Sequence, residues 1–126
     1  MNNLSIKGIL LGLLVTIVID IIGGIAAIPL FASSMSEEAL KALNEDTGAL
    51  IWSLLIGTVS TIIGGFIAAR FGKLAPYKNS AVVGVIGLIA GVLLGGDAPL
   101  WFNIIGFASV IPAALLGGYL VARKNL

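Results

Sequence analysis

The chain has 126 residues, 59% of them hydrophobic and only 10% charged, with a mean hydropathy of +1.14 and a formal net charge of +1. A soluble domain of this size needs a charged surface that seven Lys/Arg and six Asp/Glu cannot supply. With neither Cys nor His, the composition excludes a disulfide framework, thiolate chemistry, a His/Cys metal site and a Ser/His/Asp set.

Taken in chain order, four apolar stretches of near-spanning length emerge, at 6–30, 49–71, 80–96 and 100–122. Crossing ~30 Å of hydrocarbon takes about 20 helical residues at ~1.5 Å each. Three stretches meet that length directly; the third is short and is expected to recruit residues 76–79. The runs are unbroken and lack strand alternation, so helices rather than a closed barrel must satisfy the backbone. The sequence therefore predicts an all-α, polytopic membrane protein, with four transmembrane helices in a tight bundle forming one domain over residues 1–126.

Charge is sorted between the ends of these spans. Lys7, Arg70, Lys73, Lys78, Arg123 and Lys124 fall on one side and only Lys41 on the other. Glu37, Glu38, Glu45, Asp46 and Asp97 lie opposite the basic group. Because Lys and Arg are retained in the cytoplasm, both termini and the 72–79 loop are expected inside a bacterial cytoplasmic membrane. Trp52 and Trp101 fit this orientation, each near the outer end of its span, where an indole favours the headgroup zone. The first span outruns a signal-peptide core of 7–15 residues, so it is expected to be retained.

Between the first two spans, residues 35–44 are expected to form a short amphipathic helix on the outer surface. Ser34 and Glu37 would make its capping box, with Met35, Ala39, Leu40 and Leu43 at helical spacing. A lid over an outward opening is the functional alternative. The 95–99 segment reads as a tight outer turn, with Pro99 opening the last helix.

Asp20 is the one acid inside a span. An Asp at mid-span costs roughly 2.5–3.5 kcal/mol on insertion, against about 0.3–0.6 returned per large aliphatic. Fourteen such aliphatics between Ile9 and Leu30 outweigh it, but the side chain must face protein or water rather than lipid. No Lys, Arg or His lies at its depth. Asp20 therefore either carries a proton or pairs with something the sequence lacks: a cation, a water file, or a basic group of another protein. Its candidate neighbours are Thr16, Thr58, Ser60, Thr61, Asn103 and Ser109. Pro112 would free the Ala108 carbonyl and kink the last helix near mid-membrane. Three roles stay open: a hydrogen-bonded structural acid, an ion- or proton-handling group, and an intermolecular pairing group.

Small residues recur every fourth position on each span. The first carries Gly8, Gly12, Thr16, Asp20 and Gly24. The second carries Ser53, Gly57, Thr61, Gly65 and Ala69, with Ser60, Gly64, Ala68 and Gly72 running alongside. Gly87, Gly91 and Gly95 follow on the third, and Ala114, Gly118 and Ala122 on the fourth. Such ladders let backbones approach closely where lipid gives no hydrophobic drive. Gly12, Gly57, Gly64, Gly65, Gly87, Gly91, Gly117 and Gly118 are the expected packing positions. Four ladders exceed what one small bundle obviously needs, which points to self-association or a second membrane protein.

The second and fourth spans share an ending, Gly-Gly-aromatic-x-x-Ala-Arg, at 64–70 and 117–123. It makes the chain two hairpins of parallel repeat, unlike the inverted repeats of many transporters. With Pro76, Trp101 and Pro112, these endings resemble those of small uncharacterised bacterial four-span inner-membrane proteins, a likeness that implies fold and location. Size, span count and a first-span acid also resemble small multidrug-resistance exporters. Those proteins, however, use a Glu within motifs that do not occur here, and the pore motifs of the equally small fluoride channels do not occur either.

The leading expectation is a non-enzymatic accessory or scaffold protein without cofactor, metal or nucleic-acid partner. It would sit in the lipid bilayer and form a homo-oligomer or bind another membrane protein. The alternative is a small channel, or a transporter coupled to a monovalent cation or proton, with Asp20 as the titrating group.

Overall fold

A computed structural model of the protein describes residues 4–94 and 98–124. It is helical throughout, with no strand among the described residues. The elements are α1 (Ile6–Phe31), α2 (Glu37–Lys41), a 3-10 turn (Ala42–Glu45), α3 (Thr47–Phe71), α4 (Pro76–Leu94) and α5 (Leu100–Lys124). Four of these, α1, α3, α4 and α5, are long and apolar enough to cross a membrane. The third of them begins at Pro76, as its short apolar run required, because proline tolerates the first turn of a helix. Gly95 and Asp97 of the expected 95–99 turn lie outside the described residues, as do the contacts of Gly96. α5 itself runs through Pro112 without interruption.

The helix starts are set by polar caps. Ser5 Oγ accepts from the Gly8 N–H (3.0 Å) to open α1, and Asp46 Oδ1 accepts from the Ala49 N–H (3.0 Å) to open α3. The surface helix is shorter than the 35–44 expected, and its cap moves. Ser36, not Ser34, accepts from the Ala39 N–H (3.1 Å), while Ser34 Oγ donates to Ser36 Oγ (3.0 Å). Capping at Ser36 puts both Glu37 and Glu38 in the first turn, at the positive end of the helix dipole. Met35 is left outside the helix, exposed.

α3 is the middle of the bundle, because its two ladders serve two neighbours. Ser60, Gly64 and Ala68 face α1, where a Cβ on Gly64 would run into Thr16 Oγ1 and the Gly12 carbonyl oxygen. Gly65 faces α5, where a Cβ would strike the backbone of Ala114, and Gly117 of α5 lies reciprocally against Ile62, Gly65 and Phe66. Gly118 then seats α5 on Ser80 and the Pro76 carbonyl of α4. Four-residue steps keep each ladder on one face, and two ladders a residue apart point toward two different helices.

The end of the bundle that carries the chain termini is therefore closely packed. Ala68, Ser60, Asn79, Ser80 and Ala114 are fully buried there, and Ile9, Ala68 and Val83 form a small core flanked by Leu4, Leu13 and Val82. Asn79 latches this end: its Oδ1 accepts from the Ser5 N–H (2.6 Å) and its Nδ2 donates to the Ala75 carbonyl (2.9 Å). The outer surface is apolar, with Ile17, Ile21, Ile25, Leu55, Val59, Ile89 and Ile104 all exposed. A face of that extent is unusual on a soluble monomer and ordinary against lipid.

Candidate functional site

Asp20 stands near the middle of α1, about 21 Å along the helix from Ile6 and ~17 Å from Phe31 at 1.5 Å per residue. It belongs to the Gly8–Gly12–Thr16 face that packs on α3, so its carboxyl reaches across the seam. Ser60 Oγ lies 2.6 Å from Asp20 Oδ1 and 3.0 Å from the Gly57 carbonyl oxygen. Thr16, one turn away, donates to the Gly12 carbonyl (2.8 Å) and leans on that of Ser60 (3.2 Å). Ser60 is thus the residue that holds Asp20, and it is wholly buried. Asp20 itself is exposed, because the far side of its carboxyl opens into two cavities.

The first cavity measures about 230 Å³ and lies among α1, α3, α4 and α5. Of the polar set expected from sequence, Asp20, Thr16, Thr58, Thr61, Asn103 and Ser109 line it together, and Ser60 does not. Between them stand apolar walls that include Leu54, Phe102, Phe107 and Val110. The second cavity, about 220 Å³, runs from Asp20 along Gly23, Gly24 and Ile56 to Trp52. Asp20, Ser53 and Gly57 border both spaces, which makes Asp20 their common wall. α1 meets α4 near the termini but makes little or no contact with α5, and the first cavity occupies that gap.

The glycines divide by this geometry. Gly12, Gly64, Gly65, Gly117 and Gly118 make the close approaches expected of them. Gly57 and Gly87 do not: a Cβ on Gly57 meets nothing within 4 Å, and one on Gly87 only Val110, at 3.8 Å. Both line the first cavity, so their missing side chains make room rather than contact. Gly91 is intermediate, lying against the edge of the Phe107 ring at 3.1 Å.

Chemically, the site separates two protonation states. Ser60 has one hydroxyl proton and two acceptors within reach. Both short contacts are hydrogen bonds at once only if the Asp20 carboxyl supplies a second proton to Ser60 Oγ, freeing Ser60 to donate to Gly57. With a bare carboxylate the hydroxyl must choose, and Gly57 loses its bond from Ser60. Gly57 still keeps the Thr61 hydroxyl, which donates to the same carbonyl at 2.7 Å. Proton binding at Asp20 is therefore matched by a rotation of one buried hydroxyl.

Sequence reasoning missed two polar contacts. Trp52 Nε1 donates to the Gly23 carbonyl (2.9 Å) and its ring tilts against Phe31 at 6.3 Å, so the indole bridges the α1–α3 seam near the start of α3. The signal was Gly23-Gly24, which leaves a carbonyl uncovered opposite an indole. Asn79 fell among residues 76–79, expected only to lengthen the third span, yet an amide just after Pro76 in an apolar helix start is itself a burial cue. Compared with protein-family models, curated proteins and solved structures, the chain matches none, so the likenesses drawn from its motifs rest on those motifs alone.

Proposed function

We propose that this protein is a small, non-enzymatic membrane carrier or channel that takes up a monovalent cation or proton at Asp20. The observation that carries the reading is Asp20 itself. It is one carboxyl, held by a buried hydroxyl, at the shared wall of two cavities whose polar lining comes from α1, α3 and α5. Intramembrane acids that face a cavity are functional by default. The charge sorting supports a bacterial cytoplasmic membrane with both termini inside, which turns the Trp52 cavity toward the exterior. The two Gly-Gly endings support a tight bundle of two parallel-repeat hairpins, since one glycine of each pair seats its helix on the preceding one, Gly64 on α1 and Gly118 on α4.

The test is flux into proteoliposomes of the purified protein, driven by a proton or sodium gradient. Wild type is expected to pass charge in a pH-dependent way, and Asp20→Asn is expected to abolish it while eluting as the same monodisperse species. Absent flux, or flux indifferent to Asp20→Asn, discards the reading.

Self-association or an accessory role is the second reading. The closely packed glycines are spent inside the chain, which removes most of the excess of ladders. What still favours a partner is Gly24, exposed with nothing within 4 Å of a would-be Cβ, where it lines the second cavity. Crosslinking and native mass spectrometry in lipid would find a dimer or a bound protein. A strictly monomeric, partnerless chain removes this reading.

A further inference from the structure

Resting on the cation reading above, we infer that the Asp20 cavities are entered from the outer face alone, so the cation crosses as the cargo of a carrier and not through a continuous pore. The two ends of the site are built differently. Toward the termini the first cavity ends at Thr16, Thr61, Gly87 and Ala113. Beyond each of them ten or eleven residues of its helix remain, to Ile6, Phe71, Pro76 and Lys124. At ~1.5 Å per residue that floor is ~15–17 Å thick, about half of the ~30 Å hydrocarbon core.

The floor is backbone packed on backbone. Gly12 meets Gly64, Gly65 meets Ala114, and Gly117 meets Ile62 and Phe66, each too closely for a Cβ to fit between. Ala68, Ala69, Val83 and Ala114 are buried in it. An ion crossing lipid needs oxygens to replace its hydration shell. The buried polar side chains here, Asn79 and Ser80, are spent on the protein itself. Asn79 holds the Ser5 N–H and the Ala75 carbonyl, and Ser80 donates to the Tyr77 carbonyl (3.1 Å). Toward the other end the same helices stand apart. No described residue from 13 to 22, 51 to 59, 85 to 93 or 100 to 112 is buried. Asn103 lines the first cavity only three residues into α5, ~4.5 Å from its start. In the proposed topology that end is the outer one. A cation at Asp20 therefore reaches the inner side only when the floor parts. Its weakest joint is α1 on α4, which meet near the termini through Asn79 on Ser5 and through the cluster of Ile9 and Val83.

The experiment uses cysteines placed in the full chain, which has none of its own. Ser53→Cys and Asn103→Cys should each react with a small impermeant methanethiosulfonate about tenfold or more faster from the outer face, since an inner-open state would be a minor one. Ser5→Cys/Asn79→Cys, joined by oxidation, should drop proton- or sodium-driven flux to that of empty liposomes, and reduction should restore it. In planar bilayers the wild type should show no unitary current. At about a millisecond per rearrangement a carrier passes on the order of 10³ ions a second, too few to resolve singly. Equal labelling from both faces, unitary currents, or flux that survives the cross-link overturns this inference, while flux that depends on Asp20 leaves the cation reading standing. If the reduced double variant carries no flux, labelling and unitary currents decide. If the wild type moves nothing, both fall.

Discussion

Alanine at Gly117 and at Gly24 makes opposite demands on the protein. At Gly117 the new Cβ lies against the Ile62 carbonyl oxygen, 2.5 Å from the Phe66 nitrogen and 2.9 Å from the Gly65 carbonyl carbon. All three are backbone atoms of α3 and cannot swing aside. Ordinary contact needs about 3.5–4.0 Å, so α3 and α5 must part by about 1 Å, and overpacking of this kind typically costs about 1–3 kcal/mol. At Gly24 a Cβ meets nothing within 4 Å, so Ala brings only its helix preference, roughly 0.5–1 kcal/mol over Gly. Subtracting one variant from the other cancels that preference, because both sites are mid-helix. The difference left is the overpacking itself, about 1–3 kcal/mol, or roughly 5- to 150-fold in the unfolding equilibrium. Reversible unfolding in mixed micelles or steric trapping in bicelles resolves that interval. Gly57→Ala, also without a neighbour, should behave like Gly24→Ala in stability. If Gly117→Ala proves as stable as Gly24→Ala, the claim that glycine contacts hold α3 to α5 is wrong.

Asn79→Ala removes the acceptor of the Ser5 N–H and should destabilise by about 1–3 kcal/mol. Faster amide exchange over residues 5–9 would show it, and unchanged protection there would show that the latch is idle. Trp52→Phe keeps a ring against Phe31 but deletes the indole bond to Gly23, so a loss of about 0.5–1.5 kcal/mol is expected. In a Trp101→Phe background, Trp52 emission should be insensitive to bilayer quenchers, and strong quenching would place the indole at the headgroups instead. The chain has no Cys, so orientation is open to single-cysteine labelling. Ser36→Cys should react with an impermeant maleimide in intact cells and Lys73→Cys only after permeabilisation. The reverse pattern overturns the proposed topology.

Much of this was legible in the residues, and the limits have a physical origin. Span number and approximate ends follow from length and hydropathy, which are local. The polar set around Asp20 could be listed because few hydroxyls and amides lie at its depth, and five of the six line one cavity, Ser60 being the exception. Ser60 as the actual partner could not be singled out. That choice depends on the rotation of α1 against α3, fixed by Gly12 meeting Gly64 across the seam. A ladder shows that a face is small, not whether it meets backbone, as Gly65 does, or space, as Gly57 does. The cap at Ser36 went to Ser34 for a similar reason. Both serines precede the same acidic turn, and two residues of offset decide which oxygen reaches an orphan N–H.

The two pairs of long helices, α1 with α3 and α4 with α5, are each packed closely in some stretches and loosely in others, and Asp20 lies where both are loose. α1 and α3 meet closely on either side of Asp20, yet no residue from 13 to 22 or from 51 to 59 is buried. Gly12 abuts Gly64 below Asp20, Gly23 receives Ile56 above it, and Ala27, Ala49 and Leu50 are buried beyond. The carboxyl therefore lies between two close approaches eleven residues apart on α1, ~16 Å at 1.5 Å per residue. α4 and α5 share the tight packing near the termini, through Gly118 on Ser80. Away from that end no described residue from 85 to 93 or from 100 to 112 is buried. Low packing density is where a fold yields first. In the proposed function, a proton or cation at Asp20 is felt first as the turn of one hydroxyl, Ser60, and a larger rearrangement is expected in the loosely packed halves of α4 and α5, whose Gly87, Gly91, Phe102 and Phe107 form the opposite wall of the same cavity.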